Sequence, residues 1–483
     1  MQIIRNSSFV ATALCLFLAC GGEGVPSDED GESDGAEGGA GGAAPAACPE
    51  PTGAGTEHTE WLIEADETWS AADSPHYVRQ NTSIRGATVT VEACAVVVLA
   101  EGVTLEIGDS VGEPSGLVAL GQRSAAATRP VTFTSAAAGM YWKSLWVDAT
   151  GTLDLTGAVL ERGGSVAGAN ANGAIVTASN DELPVRQNLR VLDTRITDSS
   201  GVAVHLQRNS GFTSDSDGLE IDGAGAEGSS GDAPTLFPIV TAPGGISTIP
   251  AGKYTGNAVD AILVDGDQRY PQGITFHERG VPYRLQSDLQ IEPLDEEPIT
   301  LELEAGVRVE FSRGIDGSDA RYRLSLGSSA ATVDPSFFYP VRVIARGTAD
   351  APIVFTSAED EPAAGDWVGI DWGGGPADGN VMDYVTIEYA GADSQTNGFG
   401  CGNDSTYAAL FITDWLPEDE FIQHSTFAES AGGGIISGWD GTAAGPNLRG
   451  DNAFSAIDAG FCEVSQPKVD GQCPGDDAAP DCY

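Results

Sequence analysis

Hydrophobic residues along this chain come in short runs, with little helical periodicity. Val103 to Ile107, Leu117 to Leu120, Val131 to Phe133 and Leu145 to Val147 each read as a brief strand, and Gly, Asp, Asn, Ser and Pro turns separate them. Two-residue Asn-Gly hairpin signals are missing between these runs, so they suit parallel coils stacked along an axis better than hairpins. Each coil would take on the order of 20 residues or more. Val, Ile, Leu and Phe would point inward, and Thr, Ser, Asp and Arg outward.

A long internal repeat supports this reading. Pro130-Val-Thr-Phe-Thr-Ser135 matches Pro352-Ile-Val-Phe-Thr-Ser357, an offset of 222 positions, and Glu101 to Glu106 parallels Ala305 to Glu310 at an offset of 204. The difference implies an insertion near Gly314 to Val341. Trp142 and Trp367 occupy equivalent places, Leu160-Glu161 parallels Ile387-Glu388, and Ile196 to Ser199 parallels Phe427 to Ser430. The chain therefore reads as two diverged copies of one unit.

Pro352-Ile-Val-Phe-Thr-Ser357, Gly365-Asp-Trp-Val-Gly-Ile370 and Met382-Asp-Tyr-Val-Thr-Ile-Glu-Tyr-Ala-Gly391 resemble the repeats of bacterial right-handed parallel β-helix surface lipoproteins. The resemblance covers roughly residues 75 to 465. It implies an all-β, pectate-lyase-like solenoid, a fold that carries lyases, glycosidases, tailspikes and proteins of no known activity, so it does not fix a function. A pair of antiparallel β-sandwiches is the alternative architecture. The expected organisation is a signal over 1–19, a tether over 20–47, an N-terminal cap over 48–82, copy 1 over 83–245, connecting coils over 246–282, copy 2 over 283–465 and a Cys-rich tail over 466–483. Strand-like Ala258 to Val264 favours one continuous solenoid.

Arg5 followed by apolar Phe9 to Leu18 has the pattern of a secretory signal. Phe17-Leu18-Ala19-Cys20 resembles a bacterial lipoprotein box, with Phe17 where the family usually has Leu. The resemblance implies acylation of Cys20, and Gly21 after it favours the bacterial outer membrane. Residues 21–47 hold almost nothing apolar beyond Val25 and Ala, which predicts a disordered acidic tether.

Composition narrows the partners. The chain has 483 residues with 71 Asp and Glu against 23 Lys and Arg, a formal net charge of −48. Such a charge argues against nucleic acid and against an electrostatic grip on an anionic membrane, leaving the lipid at Cys20 as the membrane contact. Without Cys15 and Cys20, six cysteines remain: Cys48, Cys94, Cys401, Cys462, Cys473 and Cys482. In an exported chain an even number reads as disulfides. The favoured pairing is Cys48 with Cys94, Cys401 with Cys462 and Cys473 with Cys482, although other pairings stay open on sequence alone.

Candidate chemistry is thin. Gly108-Asp-Ser-Val-Gly112 has the nucleophile-elbow spacing without a following helix, and Gly223 to Gly228 spells a dinucleotide fingerprint inside a Gly/Ser loop; both read as chance. The five histidines show no i, i+4 pair and read as isolated surface or turn residues. Asp215, Asp217, Asp265 and Asp267 look like halves of Ca2+ loops, because a hard cation needs several oxygens on a tight turn. A carbohydrate-active site would need two carboxylates across a cleft and aromatic platforms for sugar rings. Asp366, Asp371, Asp383 and Glu388 are the candidate carboxylates, with Trp367, Trp372 and Tyr389 as platforms. The leading expectation is a non-enzymatic, envelope-anchored β-helix with a structural, adhesive or ligand-binding surface, directed at polysaccharide or surface proteins. The alternatives are a polysaccharide lyase or glycoside hydrolase of the same fold, and a Ca2+-dependent adhesin.

Overall fold

The computed structural model describes residues 48–465 apart from residue 52 and the stretches 125–126, 167–172, 179–182, 226–232, 267–268, 315–318, 330–337, 376, 395–405, 414–416, 418 and 439–445. The expected signal, the tether with Cys20 and the C-terminal tail lie outside the described residues.

The first strands set the rule for the rest. Strands β1 (Thr56–His58), β2 (Leu62–Ile63) and β3 (Glu67–Trp69) are followed by β4 (His76–Val78), β5 (Thr82–Ile84) and β6 (Thr88–Glu92). Each of the second three pairs in parallel with the strand three places before it. The chain thus visits a leading, a spanning and a trailing sheet in turn and comes back one rung further on, as in a parallel β-solenoid. The leading sheet has 8 strands, the spanning sheet 14 and the trailing sheet 6. Among the described residues no antiparallel sandwich is formed, and the antiparallel strand pairs are two small ones, Gln122–Ser124 with Ala127–Arg129 and Ser328–Ser329 with Phe338–Tyr339. Within the cap expected over 48–82, the strands from Thr56 onward already pair with the next rung as part of the coil.

Midway the faces change while the spanning sheet runs on. The trailing sheet ends at Ser210–Phe212 and the leading sheet at Gly252–Lys253. A 3-10 helix, Pro243–Thr248, packs against both Ser210–Phe212 and Ile274–Phe276, the first strand of a new five-stranded leading sheet. A new six-stranded trailing sheet begins at Leu289–Ile291. The handover thus runs from Ser210 to Ile291, wider than the connecting coils expected over 246–282.

The matched segments keep their local environment but not their face. Val131–Ser135 lies in the first leading sheet, whereas its match Ile353–Ser357 lies in the spanning sheet. The indole N–H of Trp142 donates to the Glu161 carbonyl at 2.8 Å, and that of Trp367 to the Glu388 carbonyl at 2.8 Å. The Thr134 hydroxyl donates to the Glu161 carboxylate at 3.1 Å, and the Thr356 hydroxyl to that of Glu388 at 2.8 Å. Arg162 and Tyr389, which follow the two glutamates, share left-handed backbone, φ 59° and 62°. The offset of 204 instead pairs two strands that both belong to the spanning sheet, Thr104–Ile107 and Arg308–Phe311. The supposed insertion corresponds to that one-face difference.

Alternation sends every second residue inward, and parallel register stacks like on like. In the spanning sheet Leu105, Leu145, Ile175, Val204, Ile239 and Ile262 form a continuous inner ladder. It continues through Tyr283, Val309, Phe355, Ile387 and Phe427. All of these are buried, and each contributes roughly 1.5–3 kcal/mol relative to exposure. Cys48 and Cys94 form a disulfide, Cα atoms 5.3 Å apart, that ties the chain ahead of the first rung to the turn after β6. Cys462 is buried and disulfide-bonded; Cys401, Cys473 and Cys482 lie outside the described residues.

Corners between rungs turn on single left-handed residues. Gly157 (φ 58°) links Gly151–Thr156 to Ala158–Glu161, and a Cβ there would meet the backbone nitrogen of Gln122 at 2.5 Å. Gly102 also has φ 71°, but nothing lies within 4 Å of its would-be Cβ. Gly102→Ala should therefore cost only the left-handed penalty of about 1–2 kcal/mol. Gly157→Ala should cost clearly more, since a neighbouring coil must move. Urea unfolding midpoints of the two variants check this ordering.

Candidate functional site

Of the four carboxylates expected to share a cleft, three are carried to different sheets, while Asp366 meets the corner after Glu388, its N–H donating to the Tyr389 carbonyl at 3.0 Å. Asp371 lies on Gly369–Trp372 of the second trailing sheet, Asp383 on Val381–Asp383 of the second leading sheet, and Glu388 on Val385–Glu388 of the spanning sheet. Three carboxylates thus sit on three sheets. Asp383 and Glu388 lie on either side of the left-handed corner at Tyr384, on different sheets, and each has its own partner, His424 for Asp383 and the Thr356 hydroxyl for Glu388. Asp366 is 2% exposed and locked in a turn. Its carboxylate accepts from the Ser357 hydroxyl at 2.7 Å and the Ala363 N–H at 2.8 Å, with the Arg313 guanidinium at 3.7 Å. It is a turn-bracing group, not an acid facing substrate.

The expected aromatic platforms are corrected in the same way. Trp367 and Trp372 are fully buried. Trp367 stacks on Phe311 at 4.0 Å between ring centroids, and Trp372 donates to the Val341 carbonyl at 3.2 Å while meeting Phe421 edge-on. Neither can receive a sugar ring. Tyr389 is half-buried at its left-handed corner, where desolvation and then Glu388 and Glu429 raise its phenol above the ordinary range. Glu388 belongs to the Thr356–Trp367 arrangement that recurs around Glu161, so its geometry is that of a repeated structural corner.

Asp383 does acquire a partner that the sequence did not suggest. Its carboxylate lies 2.8 Å from His424 Nδ1, and the imidazole stacks on Tyr384 at 4.9 Å. Both groups are accessible, and the carboxylate orients the ring. The neighbouring Ser425 is not an activated nucleophile: its hydroxyl is buried, donates to the Gln423 carbonyl at 2.9 Å and accepts from Val385 N–H at 3.1 Å.

The expected Ca2+ half-loops fall at different corners. The Asp215 carboxylate accepts from Arg190 at 2.8 Å and from the Thr213 hydroxyl at 2.7 Å. Asp217 joins the ladder through its backbone, beside Val191 and Asp193. Asp265 is exposed after the strand Ile262–Val264, and Asp267 lies outside the described residues. Among the described residues no group of three or more His, Cys, Asp or Glu side chains is arranged around a common metal position.

The most concentrated polar chemistry is one that sequence reading dismissed. His58 and His76, expected to be isolated, meet inside the first two rungs: His58 Nε2 lies 3.1 Å from His76 Nδ1. His76 Nε2 is 2.8 Å from the Ser70 carbonyl, which can only accept, so His76 carries its proton on Nε2 and presents a lone pair at Nδ1. On the far side of His58, Nδ1 lies 3.9 Å from Glu67 Oε2, and the same oxygen accepts from the Trp69 indole at 3.0 Å. Trp69 stacks on His76 and lies tilted against His58, at 5.6 and 4.3 Å. The usable sequence signal was a separation of 18 residues, close to one rung, in place of the helical i, i+4.

Comparison with known proteins returns nothing. The chain matches no family model, no curated protein and no solved structure.

Burial, and next the neighbouring His76, hold the His58 imidazole below the usual histidine value of 6.5, against the opposing pull of Glu67 and Glu57. The folded protein thus prefers the neutral ring. That contribution to stability is complete above the unfolded-state pKa near 6.5 and is lost as pH falls through the lower folded-state value. Thermal unfolding followed from neutral to mildly acidic pH should show a falling midpoint whose slope is reduced in His58→Gln.

Proposed function

We propose that this chain is an exported, lipid-anchored, right-handed parallel β-helix of two diverged copies, held at the bacterial outer membrane through Cys20. Its role is non-enzymatic: a structural, adhesive or ligand-binding surface. The observation that carries this reading is the dispersal of Asp371, Asp383 and Glu388 over three sheets, together with the burial of Trp367 and Trp372. A glycan-cleaving cleft would need those groups side by side.

Several features support the finer points. Parallel crossover connections are right-handed in the great majority of proteins. The duplicated Trp142 and Trp367 corners favour descent from one unit, with copy 2 shifted by one face relative to copy 1. Phe17-Leu18-Ala19-Cys20 favours acylation, and several acyl chains hold a protein to a bilayer where one does so only marginally. A net charge of −48 keeps such a surface soluble and disfavours nucleic acid. The same charge would repel anionic polymers unless divalent cations bridge them, so neutral polysaccharide, surface proteins or Ca2+-bridged glycans are the favoured partners.

Two experiments test this. Cys20→Ala should move the chain from the membrane fraction to the soluble fraction; membrane retention unchanged by the substitution would sink the anchor. Incubation with neutral and acidic polysaccharides, with Ca2+ and with chelator, should give retention without release of products. Chain cleavage that disappears in Asp383→Asn or Asp371→Asn would replace the binding role with a carbohydrate-active enzyme.

A further inference from the structure

The inner nitrogens of His58 and His76 face one another, the outer nitrogen of His76 is hydrogen-bonded to Ser70, and the outer nitrogen of His58 lies 3.9 Å from the Glu67 carboxylate. His76 is fixed by its Nε2–H donated to Ser70, which aims the Nδ1 lone pair at His58. His76 is 2% exposed, and that lone pair has a single hydrogen of His58 to satisfy it. The Glu67 carboxylate waits at the other nitrogen of His58, itself steadied by the Trp69 indole. If the His58 proton moves from Nε2 to Nδ1, it faces the Glu67 carboxylate, which accepts it on closing from 3.9 Å to hydrogen-bond distance, and two lone pairs then converge where one hydrogen bond stood. A cation can take the place of that proton without net proton release.

The separation suits a metal. Two nitrogens bound at about 2.0–2.1 Å to one ion lie roughly 2.9 Å apart at a right angle and roughly 3.3 Å apart in a tetrahedron; the observed 3.1 Å falls between. Outer partners of this kind, a carbonyl on one imidazole and a carboxylate on the other, are what fix the tautomer of metal-binding histidines. Among the described residues β1 is the terminal strand of its sheet, pairing with β4, and the His58 side chain is 14% exposed, which gives an ion a way in.

We infer that His58 and His76 form a transition-metal site at the first rungs, with Cu2+ preferred over Zn2+ and water completing the coordination. Imidazole donors suit both ions, and Cu2+ binds nitrogen sites more tightly. Ca2+ and Mg2+, which seek oxygen, should not bind here. The site is independent of the proposed surface role and of the acidic turns considered above. Glu67 acts as a positioning residue.

The test uses the full chain, disulfides intact and without a polyhistidine tag, titrated calorimetrically with Cu2+, Zn2+ and Ca2+, with electron paramagnetic resonance of the Cu2+ form. The expected result is one strong equivalent of Cu2+, nitrogen hyperfine structure from two imidazoles, and a raised thermal midpoint. His58→Ala should weaken binding at least tenfold, Glu67→Gln less so, and His424→Ala not at all. Binding no stronger than that of Ca2+, or binding that His58→Ala leaves unchanged, would overturn the site. Should His58→Ala fail to fold, selectively labelled histidines in the unsubstituted protein decide: Cu2+ must broaden His58 and His76 first, and early broadening confined to other histidines sinks the proposal.

Discussion

Each rung of this protein leaves its backbone N–H and C=O groups unpaired along both edges, and only the next rung supplies their partners. Everything else follows from that dependence. In-register parallel pairing places Leu105 over Leu145 and Ile175 over Val204, so the inward positions have to be apolar for many rungs in succession. It also requires the chain to turn sharply at fixed places, which explains left-handed backbone at residues as unlike as Arg162, Asp198, Tyr384, Tyr389, His424 and Glu429. Ion pairs decorate the outside of the same ladders: Arg190 joins Asp154 to Asp215, and Arg195 clasps Asp222. Exposed pairs of that kind add little stability, so the inner ladders carry the fold.

The same constraint separates chemistry from architecture. Residues close in sequence are carried to different sheets, and residues about one rung apart are brought together. Asp371, Asp383 and Glu388 look clustered along the chain and are dispersed by the winding. His58 and His76 look unrelated and touch.

Strand character and parallel winding were legible because they depend on local alternation and turn residues; the parity of the cysteines announced disulfides, and the Cys48–Cys94 pairing was one of several that it left open. The recurring Trp142 and Trp367 environments were legible as a repeat, since the hydrogen bonds that define them lie within a few tens of residues. Which face each repeat occupies was not legible. That depends on how many strands intervene between matched segments, and one additional strand between Arg308–Phe311 and Ile353–Ser357 is enough to rotate the assignment. The burial of Trp367 and Trp372 was only half legible: recurrence suggested core positions, while aromatic character beside acids suggested a sugar platform. The histidine pair was missed because rung length varies, so no fixed spacing announces contact across a coil.

The handover near Pro243–Thr248 bears on how cooperatively the molecule holds together. In a stack where each coil touches only its neighbours, stability is passed along by adjacent interfaces. At this point the first leading and trailing sheets stop and the second pair starts, while the spanning sheet and a single apolar core run through, with the short 3-10 helix bridging the two sets of faces. Because the inner ladder and the apolar core pass through the handover unbroken, stability gained on one set of faces is transmitted to the other, and the change of faces is expected to bend the packing without dividing the cooperative unit.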